Sequence, residues 1–168
     1  MQKAYLYYAA GQAVAAVHLG LKVKQVSADP LLASTDIVLS RDDVKARVTL
    51  WLTGTAVERK LAGRASPLRR MRNRERIKVE LQALMEQQTG PSAKRRREAM
   101  RIFTQAQDRA NAITTYLLHA AELVAQKLEA EGTVGGDYVE RVVKLEKIRQ
   151  RTQNNPDAAA DNPATPDA

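Results

Sequence analysis

Cysteine is absent from this 168-residue chain, and histidine occurs only twice, at His18 and His119. The chain therefore forms no disulfide and offers no thiolate to a metal ion, which is compatible with the cytosol. Because the two histidines are far apart in sequence, we interpret each as an ordinary surface or core side chain. Aromatic residues make up only 4% of the chain, whereas alanine, leucine and valine dominate, and this composition favours helix over sheet.

Long apolar runs and nucleotide-binding loops are also missing. No apolar run reaches the length of about 18 residues that a membrane span needs. The N-terminal stretch lacks a signal-peptide pattern, and no Walker phosphate loop occurs. We therefore expect a cytoplasmic protein that has no membrane span and does not use ATP by itself.

Apolar periodicity and capping residues predict a mostly α (α+β) domain over residues 1–151, with five main helices and a small two- or three-stranded sheet. The expected elements are a helix over 2–19, strands over 23–27 and 35–40, a helix capped by Ser40 or Asp42, a third helix around 77–85, a long helix capped by Ser92 and bent near Asn111, a turn over 132–137 and a last helix over 138–151. Residues 152–168 are rich in Asn, Pro, Asp and Ala, and we expect a disordered acidic tail there.

Positive charge is abundant, since the formal net charge is +8. Such a chain attracts nucleic acid, anionic lipid or acidic proteins. Two basic runs carry much of this charge, and their members are Arg64, Arg69, Arg70, Arg72, Arg74 and Arg76 in the first and Lys94, Arg95, Arg96 and Arg97 in the second. We expect the first run to be a connecting loop in which Pro67 interrupts helix. Each run is either an anion- or partner-binding site or a solvated surface.

The stretch from Tyr7 to Ala13 reads Tyr-Tyr-Ala-Ala-Gly-Gln-Ala. It resembles the active-site helix of the FtsH-type zinc metalloprotease peptidase domain, which reads Tyr-His-Glu-Ala-Gly-His-Ala. The matching positions are Tyr7, Ala10, Gly11 and Ala13. Tyr8 and Gln12 stand where that family has its two zinc-binding histidines, and Ala9 stands where it has the catalytic glutamate. Zinc hydrolysis needs two imidazoles one helical turn apart and a general base between them.

A second stretch, from Gly54 to Gly63, is similar to the family pattern Gly-Arg-Ala-Ala-Glu-Glu-Leu-Val-Phe-Gly. The matching positions are Gly54, Ala56, Glu58 and Gly63. In the family the third zinc ligand is an aspartate on the following helix. The best alignment of that helix puts Val79 at the aspartate position. Glu80 is one residue away and is rotated by about 100° around the helix, so it is a poor substitute.

The resemblance covers roughly residues 5–144 and implies a peptidase-like fold whose catalytic apparatus has been lost. Tyr8, Ala9, Gln12 and Val79 would then mark a degenerate site that holds no zinc and no other cofactor, and Tyr8 and Gln12 would hydrogen-bond each other. The leading hypothesis is a catalytically inactive pseudopeptidase that binds another macromolecule, most plausibly a protein. The alternative is a basic nucleic-acid-binding protein, and an active metallopeptidase is the least favoured hypothesis.

Overall fold

The computed structural model of the chain describes residues 4–27, 35–37 and 43–154. Within them the chain is mostly helical and contains a small antiparallel sheet, so the expected fold class is confirmed. The helices are α1 (Ala4–His18), α2 (Val44–Ala62), α3 (Pro67–Gln87), α4 (Ser92–Tyr116), α5 (Leu118–Glu131) and α6 (Gly136–Asn154), and the strands are β1 (Val23–Ser27), β2 (Thr35–Ile37) and β3 (Thr133–Gly135).

The sheet has three strands in the order β2-β1-β3, and both pairings are antiparallel. We expected a turn over 132–137, but residues 133–135 pair with β1, where Val26 lies opposite Val134. Three residues are too few to show the alternation that predicts a strand. The pairing instead depends on backbone hydrogen bonds and on the single buried side chain of Val134.

The long helix expected after Ser92 is two helices in the structure. Leu117 has φ −120° and ψ 20°, so α4 ends at Tyr116 and α5 begins at Leu118. The expected bend near Asn111 is therefore wrong. The break turns the chain while Leu117 itself is buried in the main core.

Helix starts also differ from the expected caps. Asp43 caps α2 by accepting a hydrogen bond from the Ala46 backbone N–H at 2.8 Å, whereas Ser40 and Asp42 lie outside the described residues. Pro91 takes the cap position of α4 without a side-chain hydrogen bond, so the expected Ser92 cap is wrong. At the other end of the chain, α6 continues to Asn154, and the rest of the expected tail lies outside the described residues.

Pro67 starts α3 instead of interrupting a helix. Ser66 is the N-cap, and its hydroxyl accepts from the Arg69 N–H at 3.4 Å. Proline suits the first helical turn because its missing N–H has no helical partner there. The expected loop over the first basic run is therefore wrong, since all but its first residues are helical.

Helix α1 is the central element of the main core. Its alanines at positions 9, 10, 13, 15 and 16 are fully buried, and α2, α5, α6 and β1 pack around it. A second, smaller cluster joins α2, α3 and α4 through Val48, Ile77 and Ala106. Helix α2 contributes to both clusters, so it connects the α3–α4 hairpin to the rest of the domain.

Helices α1 and α2 approach each other closely at two glycines. A Cβ atom on Gly11 would lie 2.9 Å from Val57 Cβ and 3.2 Å from Gly54 Cα. A Cβ atom on Gly54 would lie 2.9 Å from Gln12 Cγ and from two ring atoms of Tyr8. Only glycine permits this crossing, which explains why a residue that weakens helices stands inside both of them.

Replacing Gly54 by alanine tests the crossing. Alanine is ordinarily better than glycine inside a helix by about 1 kcal/mol. Here the added methyl group meets the rigid Tyr8 ring, and overpacking of this kind costs about 1–3 kcal/mol. We therefore expect Gly54→Ala to lower the free energy of unfolding in urea. Gly135→Ala is the control, since its Cβ would meet no atom within 4 Å. A Gly54→Ala protein more stable than wild type would contradict the close approach.

Candidate functional site

Tyr8 and Gln12 lie one turn apart on the face of α1 that meets Gly54 of α2. Gln12 Nε2 donates to the Tyr8 hydroxyl oxygen at 2.9 Å, and the Tyr8 hydroxyl donates to Asn73 Oδ1 at 3.0 Å. All three side chains are buried. The expected hydrogen bond between Tyr8 and Gln12 is thus confirmed, and it extends across to α3.

Asn73 completes this buried polar network on the side of α2. Its Nδ2 donates to Thr55 Oγ1 at 2.9 Å and to the Trp51 carbonyl oxygen at 3.2 Å. The Thr55 hydroxyl donates to the same carbonyl at 3.0 Å. Every member therefore has a partner, as buried polar groups require, and no member carries a charge. We call Tyr8, Gln12, Asn73 and Thr55 the neutral network.

A buried ion pair covers the Tyr8 ring. Glu58 on α2 has no exposed surface, and its Oε1 lies 2.7 Å from an Arg69 Nη2 atom. The same carboxylate oxygen accepts from the Ser66 backbone N–H at 3.1 Å. The Arg69 guanidinium lies 5.7 Å from the centroid of the Tyr8 ring, a cation–π distance. The pair therefore ties the start of α3 to α2 directly beside the neutral network.

Burial keeps the Tyr8 phenol protonated. Desolvation raises its pKa and exceeds the opposing effects of the Asn73 hydrogen bond and of the Arg76 and Arg69 charges, while Glu58 acts in the same direction as burial. A phenol binds a metal ion as the phenolate, which the surroundings disfavour. The arrangement thus holds a neutral donor and acceptor, with no anionic ligand.

The structure places Val79 far from the network. Its side chain is 64% exposed, and the neighbouring Glu80 pairs with Arg47 of α2 at 2.6 Å. Val79 therefore takes no part in the network, and its alignment with the third ligand position stays a prediction of the resemblance. Asn73, six residues earlier on α3, is the residue that reaches Tyr8.

A sequence signal for Asn73 does exist. Asn73 lies one turn before Ile77, and both are buried on the same face of α3. Extending the apolar face of that helix backwards by one turn would have found Asn73. We instead expected a loop there, because Pro67 and the arginines dominated the local composition.

The residues present do not fit a zinc ion. Ala9 is fully buried and offers only a methyl group where a general base would stand. Across residues 4–27 and 43–153, no three His, Cys, Asp or Glu side chains come together as a metal-binding group. Tyr8, Gln12 and Asn73 supply a phenol and two amides, which are not the imidazole, thiolate or carboxylate ligands that zinc prefers.

Neither histidine takes part in the network. His18 is ten residues beyond Tyr8 on α1, a rise of about 15 Å. Its Nδ1 is buried and has no hydrogen-bond partner among the described atoms. Burial, together with the charges of Lys147 and Arg109, lowers the pKa of His18. His119 is on α5, half-exposed beside Glu122. His119 is thus a surface side chain, whereas His18 is a half-buried side chain whose Nδ1 lacks a partner among the described residues.

The first basic run divides into engaged and exposed members. Arg69 pairs with Glu58, and the Arg76 guanidinium lies 6.0 Å from the centroid of the Trp51 ring. Arg76 is nevertheless exposed, and so are the other members, Arg64, Arg70, Arg72 and Arg74. In the second run Arg95 is half-buried and donates to the Met85 carbonyl oxygen at 2.9 Å, whereas Lys94, Arg96 and Arg97 are exposed.

The fold does not merge the two runs into one surface. The second run begins α4 beside Met85, near the end of α3, while the first run is at the start of α3. Arg76 is the last member of the first run, and the nine steps of helix from it to Met85 rise by about 14 Å. The first run therefore occupies the N-terminal half of α3, and the second run lies beside its C-terminal end.

A groove of about 730 Å³ opens between α2, α3 and α4. Its apolar side chains are Leu52, Pro67, Met71, Ile77 and Phe103, and its polar ones are Thr55, Arg70, Asn73, Arg74 and Gln107. Because Asn73 and Thr55 belong to the neutral network, the groove lies directly against it. The sequence did not reveal this groove, since its residues come from three helices.

Comparison with known proteins adds no relative to these observations. A scan against protein-family models found no match, and no curated protein matches the sequence. In the part of the chain that the structure describes, every helix is too short or too polar to cross a membrane. The site must therefore be interpreted from its own chemistry.

The raised pKa of Tyr8 predicts a change of stability at alkaline pH. The unfolded chain loses the phenolic proton near the ordinary pKa of about 10, whereas the folded chain retains it to higher pH. The stability that the protonated Tyr8 phenol contributes is therefore fully present below about pH 10, and it is lost as pH rises through the pKa of the folded chain. We expect the alkaline fall in unfolding free energy to be steeper for wild type than for Tyr8→Phe.

Chemical denaturation at a series of alkaline pH values measures this difference. Tyr116→Phe is the matched control, because Tyr116 is 53% exposed and its ring is outside the network. The unfolding free energy of Tyr116→Phe should fall with alkaline pH as steeply as that of wild type. Equal slopes for wild type and Tyr8→Phe would contradict the burial of the Tyr8 phenol.

Proposed function

We propose that this chain is a peptidase-like domain without hydrolytic chemistry, and that it acts by binding another protein. The observation that carries the proposal is the hydrogen bond from Tyr8 to Asn73, with Gln12 as the third partner. In the FtsH-type peptidases that the sequence resembles, two residues one turn apart on the first helix and one on a later helix hold zinc. Here three neutral side chains occupy the corresponding elements and bond to one another.

The closeness of these three side chains supports a lost metal centre better than an unrelated core helix. An apolar core gains nothing from burying a tyrosine and two amides at one point, since each must find a partner. A site that once held a cation between α1 and α3 would retain polar positions that face one another. Neutral side chains then satisfy those positions by hydrogen bonds, and the scaffold persists without the metal.

Binding of nucleic acid is the second candidate, and the exposed arginines and lysine of the two basic runs favour it. Phosphate contacts of such residues give sequence-independent affinity that falls with salt. The two runs are separate, and among the described residues no exposed aromatic ring lies beside them, since Trp51 next to Arg76 is half-buried. Both observations fit a stacking surface poorly. We therefore place this candidate behind protein binding.

The zinc test uses variants that restore ligands. We expect wild-type protein to bind no stoichiometric zinc and to leave casein uncleaved. Tyr8→His and Gln12→His, combined with Asn73→Asp, should create a partial zinc site that elemental analysis and a chelator competition detect. Adding Ala9→Glu then tests whether a base restores hydrolysis.

The matched control combines the same two histidines with Val79→Asp. Because Val79 faces solvent, this variant should bind zinc no better than the two histidines alone. Circular dichroism checks that each variant is folded. One tightly held zinc per wild-type chain, together with chelator-sensitive casein cleavage, would overturn the proposal. Equal zinc binding by the Asn73→Asp and Val79→Asp variants would overturn the equivalence of Asn73 with a metal ligand.

A further inference from the structure

The groove between α2, α3 and α4 combines an apolar floor with a basic rim. Met71 is 58% exposed at its edge, and the neighbouring Leu68 is 52% exposed. Half-buried Leu52 and Phe103 continue the apolar surface inward. Leu68 lies beside the groove, and Met71 is part of its lining. Large exposed apolar side chains at and beside one groove indicate a contact surface. Methionine is well suited to such a surface, because its flexible side chain adapts to different partners.

The charge of the rim selects the partner. Arg70 and Arg74 are one helical turn apart, and neither forms an ion pair or side-chain hydrogen bond within the described residues. No carboxylate occurs among the described residues that line the groove. By contrast, Arg69 on the same helix forms an ion pair with Glu58. Two unpaired cations beside an apolar floor complement a ligand that is both acidic and apolar.

The shape of the groove favours a helical ligand. All its walls are helices, so no strand edge is available to pair with an extended peptide. A groove between helices takes the apolar face of an amphipathic helix. Carboxylates one turn apart on such a helix have the same spacing as Arg70 and Arg74.

We propose that this groove, lined by Met71, Phe103, Arg70 and Arg74, binds an acidic amphipathic helix of a partner protein. The inference rests on the proposed function, since it names the class of protein that the domain binds. Apolar side chains of the partner contact Met71 and Phe103, and its carboxylates pair with Arg70 and Arg74. Nucleic acid would use the same arginines but would gain nothing from the Met71 side chain.

The probe is a fluorescent peptide with leucines at helical spacing and Glu or Asp at the other positions. A second peptide keeps the leucines and replaces every acidic residue by Lys. Fluorescence polarisation of the full chain should show binding of the acidic peptide and none of the basic one. The double variant Arg70→Glu/Arg74→Glu should abolish binding. Arg96→Glu/Arg97→Glu is its matched control, because it removes the same charge from the separate second run and should retain affinity.

Met71→Gln separates a groove from a simple basic surface, since it changes no charge. We expect it to lower the affinity for the acidic peptide about tenfold, which corresponds to roughly 1.4 kcal/mol of binding free energy. Binding of a DNA duplex should be unchanged by Met71→Gln. The substituted side chains are exposed, and circular dichroism checks that each variant keeps the fold.

Three results would overturn the groove proposal. In the first, the acidic peptide does not bind. In the second, Met71→Gln leaves the affinity for the acidic peptide unchanged. In the third, DNA displaces the peptide, and Arg70→Glu/Arg74→Glu keeps full affinity for the peptide. These failures are distinguishable from failure of the proposed function. If wild-type protein binds no zinc, cleaves no casein and does not bind the peptide, the proposal of a lost metal centre stands and only the groove proposal fails.

Discussion

The close crossing of α1 and α2 at Gly11 and Gly54 is the constraint on which the rest of the structure depends. A methyl group at either position would meet a side chain of the opposite helix at 2.9 Å. The crossing presses the face of α1 that carries Tyr8 and Gln12 against α2. Their polar groups then meet Asn73 of α3, which α2 holds in place through Thr55 and the Trp51 carbonyl oxygen. Burial of the main core around α1 supports the same arrangement.

Both the neutral network and the Glu58–Arg69 ion pair attach α3 to the rest of the domain. Helix α3 has only two buried residues, Asn73 and Ile77, so apolar packing alone holds it weakly. Hydrogen bonds to Tyr8 and the ion pair at the helix start supply specific contacts in addition. Because Arg69 is used in this way, the arginines that remain available to a partner are those on the outer face of α3.

Much of the fold was predictable because it depends on local patterns. The strand at 23–27 has its predicted bounds, and Gly20 ends α1 with a positive φ, as its sequence position indicated. The Tyr8–Gln12 bond followed from helical spacing. The break at Leu117, the third strand and the groove were not predictable, since they depend on tertiary packing or on residues from several elements. Asn73 was missed as well, because the expected loop covered the first ten residues of α3, Pro67 to Arg76.

The central claim is that a neutral hydrogen bond between Tyr8 and Asn73 joins α1 to α3 at the point where the resemblance would place a metal ion. A double-mutant cycle with Tyr8→Phe and Asn73→Ala measures their coupling from urea unfolding of the four proteins. Directly bonded buried partners show coupling energies of about 0.5–3 kcal/mol. We expect a coupling of about 1 kcal/mol or more in favour of the bond. Additive effects of the two substitutions would contradict it.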